Sequence, residues 1–300
     1  MSIALEPLSH KVQRTAVGKM VDVALAHVRK DRQKAFAEMV DVAKQFYGDS
    51  FSEETYEHAR AVLTDADSKW SKLINCVLDQ TAPNVARTTA LNLGYEAFFR
   101  GTKTIRENRT KYHCNIPWLI LFDPTSACNM HCVGCWAGEY GNKNNLSFED
   151  MDKIVTQGKE LGVYMYIYTG GEPLVRKADL IKLCEKHDDC IFLAFTNGTL
   201  IDEKFADDML RVKNFVPAIS LEGFEEATDD RRGQGTYQKV IQAMAILKKK
   251  HLPFGLSCCY TSQNTQVIGS EAYIDDLIAK GAKFAWFFTY MPVGHVARHR

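Results

Sequence analysis

Three cysteines carry the clearest chemical signal in the sequence. Cys128, Cys132 and Cys135 have the spacing C-x3-C-x2-C. Thiolates are soft ligands that favour zinc, copper(I) or iron–sulfur clusters. A structural zinc site takes four ligands, and no fourth ligand is obvious here beyond His131, which lies inside the motif. Three cysteines that hold a four-iron cluster would leave one iron without a protein ligand, open to a substrate or cofactor.

A second motif, Gly170-Gly171-Glu172-Pro173, follows an apolar run at 163–168. Its glycines permit a close backbone approach, and the Glu172 carboxylate or a local carbonyl offers an acceptor for an ammonium group. Alone, the motif is also typical of an ordinary turn between a strand and a helix. Its position one strand after the three cysteines favours a functional interpretation, in which these residues contact only a bound ligand.

The elements that must position these motifs alternate between strands and helices. Short apolar runs predict six strands, at 116–122, 163–168, 191–196, 216–221, 254–260 and 284–289. Helical patterns fill the intervals, at 147–161, 178–187, 202–213, 236–250 and 270–280. The spacing is close to the ~30 residues of a strand–helix–strand unit. This pattern predicts a parallel sheet with helices outside it and chemistry in the loops at the carboxyl ends of the strands.

Residues 1–112 have helical patterns throughout. Apolar residues recur at helical spacing, as in Val17, Val21, Ala24 and Val28. Ser52 is a predicted N-cap, and Pro83 suits the first turn of a long helix that ends near Lys111. The chain therefore divides into a helical region at 1–112 and an α/β region at 113–300. We expect the helices to close the substrate face of the sheet or to hold a partner.

The composition is that of a globular protein and excludes several function classes. The chain has 300 residues, with 37 Lys+Arg against 37 Asp+Glu and 46% apolar residues. This charge balance argues against nucleic-acid binding by phosphate neutralisation. No apolar stretch approaches the ~20 residues that span a bilayer, and the start lacks a signal pattern, so the predicted compartment is the cytoplasm. Nine cysteines are an odd number and too few for a disulfide scaffold.

On these motifs, roughly residues 115–290 resemble the radical S-adenosylmethionine (radical SAM) enzymes. The resemblance implies a partial (β/α)6 TIM-like barrel in which Cys128, Cys132 and Cys135 ligate a [4Fe-4S] cluster. It also implies that the amino and carboxylate groups of S-adenosyl-L-methionine chelate the open iron. One electron, from an external flavodoxin- or ferredoxin-like donor, then cleaves this cofactor to methionine and a 5′-deoxyadenosyl radical. The cofactor supplies the hard chemical step, while the protein binds, orients and excludes solvent.

The resemblance also implies further cofactor-binding residues. The Gly170–Pro173 motif corresponds to the GGEP segment that binds the methionine amino group. Asn197 and Ser220, at the ends of the third and fourth predicted strands, are candidates for the ribose or carboxylate, and Ser220 opens an S-L-E-G motif. Arg231 or Arg232, in the predicted loop that follows, is a candidate partner of the methionine carboxylate.

Two features depart from the family pattern. The residue before the third cysteine is usually an aromatic that packs on adenine, and here it is Gly134, so Trp136 is the candidate for that ring. Many relatives with S-L-E-G also carry a cysteine-rich C-terminal domain, whereas this chain ends at Arg300 without one. That ending favours a fragment of a longer protein.

The remaining cysteines have a mainly structural interpretation. Cys258 or Cys259 can direct one thiol into the barrel, although core filling is the favoured interpretation of this pair. The others fall on helix or strand patterns and are interpreted as structural, namely Cys76, Cys114, Cys184 and Cys190.

Two other functions stay open on the sequence. One is a zinc or iron–sulfur protein without radical chemistry, such as an electron carrier or regulator. The other is a scaffold that binds a partner through the helical region. The GGEP motif and the six-strand pattern favour the enzyme, because a carrier needs neither. The substrate is not defined, and a peptide, a lipid and a small metabolite all remain.

Overall fold

Six parallel strands form one sheet in which each strand pairs with the next one along the chain. The computed structural model describes residues 9–28, 30–48, 51–135, 137, 141 and 143–292. The strands are β1 Leu119–Phe122, β2 Met165–Tyr168, β3 Ile191–Thr196, β4 Phe215–Ser220, β5 Gly255–Tyr260 and β6 Ala285–Thr289. The sheet curls into a half-barrel with β1 and β6 as its edges, so the predicted fold class is confirmed.

Helices connect the strands as the sequence predicted. They are α7 Phe148–Leu161, α8 Lys177–Lys186, α9 Glu203–Val212, α11 Thr236–Lys249 and α13 Glu271–Lys280. Ser147 caps α7 in a capping box with Asp150, and Gly281 ends α13 with a positive φ of 106°. These local signals explain why the helix bounds were readable from the sequence.

Three short helices lie at the carboxyl ends of strands and were not predicted. They are a 3-10 turn at Pro173–Arg176, α10 at Glu225–Arg232 and α12 at Thr265–Ile268. The α10 sequence, EEATDDRR, lacks an apolar stripe, so periodicity does not reveal it. Arg231 and Arg232 therefore end a helix, and their predicted placement in a loop was wrong.

The two faces of the sheet pack differently. One face contributes residues such as Tyr166 and Phe192 to a large buried cluster that also contains helix residues, for example Met151 and Leu180. The opposite face, which we call the inner face, forms a separate cluster around Ile167, Leu193 and Ala218. Its other members lie on strands, apart from Phe284 directly before β6, and none lies on a helix. The inner face is therefore the interior of the half-barrel, and the helices cover the outside.

The N-terminal region is helical, as predicted. It comprises α1 His10–Val28, α2 Arg32–Tyr47, α3 Glu53–Thr64, α4 Lys69–Gln80, α5 Pro83–Thr89, a π-helical segment Ala90–Gly101 and α6 Thr102–Tyr112. The last three are contiguous and form the predicted long helix, although its π-helical middle was not anticipated. None of the helices in the described ranges is both long enough and apolar enough to cross a membrane. The division into 1–112 and 113–300 stays a proposal.

These helices cover the amino-terminal ends of the strands. Asn92 of the π-helical segment donates to the carbonyls of Asp188 (2.8 Å) and Cys190 (2.7 Å), just before β3. The Ala82 N–H donates to the carbonyl of His251 (2.8 Å), before β5. Both contacts lie at the end of the sheet opposite to the cysteine motif. The expectation that the helices close the substrate face is therefore not met by these contacts.

Replacing Asn92 with alanine should lower the free energy of unfolding by about 2 kcal/mol, because the fully buried Asn92 side chain would lose its two hydrogen bonds to the Asp188 and Cys190 carbonyls. Urea denaturation measures this change. Asn108→Ala is the matched control, since Asn108 on α6 makes one hydrogen bond at the surface, to the Glu160 carbonyl (3.2 Å). An equal loss in both variants would show that the Asn92 bridge contributes nothing specific to stability.

Candidate active site

The three cysteines of the motif lie on one loop at the carboxyl end of β1. This cysteine loop, residues 123–135, leaves Cys128 and Cys132 half-buried and Cys135 exposed. Burial raises the pKa of Cys128 and of Cys132, and charge on the other cysteines of the loop raises it further. The three thiols are therefore close enough to influence one another electrostatically.

The donor set fits an iron–sulfur cluster. In the described part of the chain, no three His, Cys, Asp or Glu side chains converge as the ligands of a single metal ion do. A four-iron cluster does not require such convergence, because each thiolate binds its own iron atom. Three soft ligands on one loop of irregular backbone match that requirement.

The GGEP segment packs directly under the cysteine loop. The Gly171 N–H donates to the Thr125 carbonyl (2.9 Å), and the Glu172 N–H donates to the Ala127 carbonyl (2.8 Å). A Cβ atom at Gly171 would lie 2.2 Å from the Ala127 carbonyl oxygen, so only glycine allows this approach. The expectation that the segment contacts only a ligand was therefore wrong, because its backbone hydrogen-bonds to the loop that carries the thiols.

The Glu172 carboxylate is buried and fully engaged within the protein. It accepts hydrogen bonds from the Leu174 N–H (2.9 Å), the Thr196 hydroxyl (2.6 Å) and the Asn197 N–H (2.7 Å). Burial raises its pKa, although these three donors oppose the rise. Pro173 follows it, buried at the start of the 3-10 turn. The carboxylate thus fixes the end of β3, so it is not available as an acceptor for a bound ammonium group.

Asn197 and Ser220 lie at the carboxyl ends of neighbouring strands. The Asn197 side chain donates to the Asn129 side chain in the cysteine loop (2.9 Å) and accepts from the Thr199 N–H (3.0 Å). Ser220 is half-buried and pairs in register with Ser257. The structure thus brings both predicted residues to the carboxyl ends of the strands, where the cysteine loop also lies.

A buried ion cluster lies beside Cys132. The fully buried Glu222 carboxylate accepts from Arg231 (2.6 Å) and from Arg232 (2.6 Å). Arg232 also lies 3.9 Å from the Cys132 sulfur. Glu222 holds the pKa of Arg232 above its usual value although burial opposes this. The S-L-E-G motif pointed to this place, but the sequence interpretation assigned a role to Ser220 and overlooked Glu222.

Leucine at position 222 would leave two arginine side chains without their shared anion in a largely buried site. We expect Glu222→Leu to lower the free energy of unfolding by about 3 to 5 kcal/mol, measured by urea denaturation. Glu225→Gln, in the first turn of the helix α10 that carries the two arginines, is the control, because Glu225 is exposed, and its effect should stay under about 0.5 kcal/mol. Similar losses for both would contradict a special role of the Glu222 pairings.

Tyr290, directly after β6, fills the space beside Gly134 in the cysteine loop. Gly134 has a positive φ of 66°, and a Cβ atom there would lie 2.1 Å from the Tyr290 hydroxyl oxygen. The Tyr290 N–H donates to the Tyr260 carbonyl (3.0 Å), which places Tyr290 at the end of β5. Sequence reasoning missed Tyr290, and Trp136, which was proposed to supply a ring, lies outside the described residues.

The cysteine pair on β5 divides between the two faces of the sheet. Cys258 is buried on the outer face, 3.7 Å from the Tyr273 hydroxyl. Cys259 is half-buried and pairs in register with Phe288, on the inner face. Core filling, the favoured interpretation of the pair, therefore holds for Cys258, whereas Cys259 lies on the face that lines the barrel interior. Of the others, Cys184 and Cys190 are buried, Cys76 is half-buried and Cys114 is exposed.

Comparison with known proteins gives a family match and several curated relatives. Residues 122–264 match the model of the Radical SAM superfamily. The chain is 28% identical over 155 residues to the Fe-coproporphyrin III synthase of Methanosarcina barkeri, which covers 50% of this chain and 39% of that protein. It is 30% identical over 149 residues to the GTP 3′,8-cyclase of Desulforamulus reducens, covering 45% of each. The chain thus spans less than half the length of these two relatives.

Solved structures share the fold. The structure of Streptococcus suis SuiB bound to S-adenosylmethionine has a TM-score of 0.57 and 18% identity, covering 90% of this chain and 59% of that chain. Native anSMEcpe with bound AdoMet has a TM-score of 0.50 and 25% identity, covering 59% of this chain and 52% of that chain. The half-barrel architecture is therefore common to this chain and to these proteins.

Proposed function

This chain belongs to the radical SAM superfamily, whose members are enzymes, and we propose that it binds a [4Fe-4S] cluster and S-adenosylmethionine at the cysteine loop. Cys128, Cys132 and Cys135 are the proposed ligands. The observation that carries the proposal is the backbone pairing of the GGEP segment with this loop, which brings three soft donors and a glycine cradle together at the carboxyl end of the sheet.

A cluster with one open iron would bind the amino and carboxylate groups of S-adenosylmethionine and, once reduced, cleave it to a 5′-deoxyadenosyl radical that acts on the substrate. The protein's part is to orient these groups. Backbone carbonyls near Gly170 and Gly171 would accept from the ammonium group. Arg232, beside Cys132, would offer a cation for the carboxylate. Asn197 and Ser220 would bind the ribose.

The exposure of Cys135 supports an external electron donor. Cys128 and Cys132 are half-buried, whereas Cys135 lies on the surface, so a small flavodoxin- or ferredoxin-like protein can approach the cysteine loop from that side. Three free thiols also suit a reducing compartment such as the cytoplasm. Both assignments are part of the proposal.

Cofactor cleavage tests this function. Protein reconstituted anaerobically with iron and sulfide, then reduced with dithionite, should release 5′-deoxyadenosine and methionine from S-adenosylmethionine slowly even without substrate. Mass spectrometry of the products measures this, and a sample without dithionite is the control. Bound iron without any cleavage would instead support an electron carrier, and tight zinc binding with no iron would reject the cluster itself.

A further inference from the structure

The inner face of the sheet carries no charge among its described strand residues. In a parallel sheet, residues paired in register lie on the same face, so the pairings of Leu121 with Ile167, Phe195 with Ala218 and Cys259 with Phe288 define it. By this register its members are apolar or small, namely Leu119, Leu121, Met165, Ile167, Ile191, Leu193, Phe195, Val216, Ala218, Ser220, Gly255, Ser257, Cys259, Trp286 and Phe288.

The side chains of this apolar face are buried on the central strands and exposed on both edge strands. Ile167 and Leu193 are buried on the central strands. At the edges, Leu121 on β1 is 51% exposed and Phe288 on β6 is 40% exposed. The Phe195 ring packs 5.5 Å from the Phe288 ring, measured between centroids. Leu121 and Phe288 both lie near the carboxyl ends of their strands, so an aromatic and aliphatic surface lines the end of the interior at which barrels of this kind hold their ligands.

The apolar surface leads to the cysteine loop. Trp286 and Phe288 lie on the inner face of β6, and Tyr290, two residues further, packs against Gly134 between the second and third cysteines. Near this junction Arg231 and Arg232 both bond to the Glu222 carboxylate, and Arg232 is already assigned to the cofactor. Asp123, which lies against Gly170 at the start of the cysteine loop, is an acid that repels anions. The aromatic side chains of Trp286, Phe288 and Tyr290 therefore connect the interior of the half-barrel to the proposed cofactor site.

We infer that the part of the substrate which enters the half-barrel is an uncharged apolar group, a hydrocarbon or aromatic moiety. This inference rests on the proposed function, since it names the substrate class of the same site. A phosphate-bearing group would lose its hydration against these side chains without gaining partners. An apolar group would instead remove exposed surface such as that of Leu121 and Phe288 from water, which is favourable.

A second apolar surface serves as an internal comparison. A groove of about 570 Å³ between α1, α2 and the π-helical segment is lined by residues such as Met20, Met39 and Tyr95. Val23 in this groove is 55% exposed. This groove belongs to the helical region at the other end of the sheet. A substitution in the groove therefore shows whether a probe binds to any exposed apolar surface or only to the inner face.

Pyrene, a neutral aromatic hydrocarbon, is the probe. Reconstituted protein with S-adenosylmethionine should bind pyrene saturably, followed by its fluorescence, and millimolar GTP should not displace it. Leu121→Asp should raise the Kd about tenfold, the factor expected when one leucine contact is replaced by a charge. Val23→Asp and Ile278→Asp, the latter 59% exposed on α13, should change the Kd less than about twofold.

A second pair of variants tests the inner face independently, in case Leu121→Asp does not fold. Phe288→Ala should also weaken pyrene binding, whereas Phe287→Ala, on the same strand but the opposite face and 45% exposed, should not. Displacement of pyrene by GTP, or weakening by Val23→Asp but not by Leu121→Asp, would overturn the inference. So would a dimer of the wild-type protein that Leu121→Asp dissociates, because the face would then be an interface between copies.

Cofactor cleavage measured on the same wild-type sample separates the two proposals. If the protein cleaves the cofactor but pyrene binding is absent or is unaffected by Leu121→Asp, the apolar substrate class is rejected and the radical SAM activity stands. If Leu121→Asp weakens pyrene binding but the wild-type protein does not cleave S-adenosylmethionine, the radical SAM activity is rejected and an apolar ligand site remains.

Discussion

Cys132→Ala should reduce the bound iron of the reconstituted protein from about four atoms per chain, the content of the expected cluster, to nearly none. A four-iron cluster with one open iron has three protein ligands, so the loss of one thiolate leaves too few to hold it. Iron analysis and the absorbance of the brown protein measure the loss. Cys128→Ala and Cys135→Ala should have the same effect.

Two cysteines outside the motif provide the controls for this experiment. Cys114→Ala, at an exposed position before β1, should keep both iron and stability. Cys184→Ala, in the buried core on α8, should keep its iron while losing some stability. If iron binding instead survived in all three motif variants, the ligands would have to be sought elsewhere in the chain.

Gly171→Val should abolish both iron binding and S-adenosylmethionine binding. Its new Cβ atom would lie 2.2 Å from the Ala127 carbonyl oxygen and 2.5 Å from that of Ser126. Because both oxygens belong to the cysteine loop, the loop must move and the thiols move with it. Iron content and equilibrium binding of the cofactor are the two measurements.

The matched control is Gly94→Ala in the π-helical segment, where an added Cβ atom meets nothing within 4 Å. This variant should keep iron and cofactor binding. A Gly171→Val protein with full iron content that lost only the cofactor would restore the earlier interpretation, in which the GGEP segment touches the ligand alone.

The six strands and their helices were predictable because their signals are local. An apolar run such as Ile191–Thr196 becomes a strand as the pattern indicates, and a capping residue such as Ser147 begins its helix at the predicted place. The short helix α10 escaped prediction because charges, not apolar periodicity, dominate its sequence. Acidic residues open it and Arg231 and Arg232 close it, as the helix dipole favours.

The position of the N-terminal helices was not readable in the same way. Their amphipathic patterns show that each helix has one face to cover, but not what covers it. Hydrogen bonds from Asn92 and from Ala82 to residues before β3 and β5 decide that they cover the amino-terminal ends of the strands. Such bonds join residues far apart in the chain, so no local pattern records them.

By itself, the sequence determined the fold class, the three cysteines and the GGEP motif, because spacing and periodicity along the chain express them. Only the tertiary structure decided that the Glu172 carboxylate anchors β3, that Glu222 joins two arginines beside Cys132 and that Tyr290 fills the space beside Gly134. Each of these depends on the order and curvature of the strands. That order brings the segments after the first, fourth and sixth strands together at the carboxyl end of the sheet, where side chains distant in sequence become neighbours.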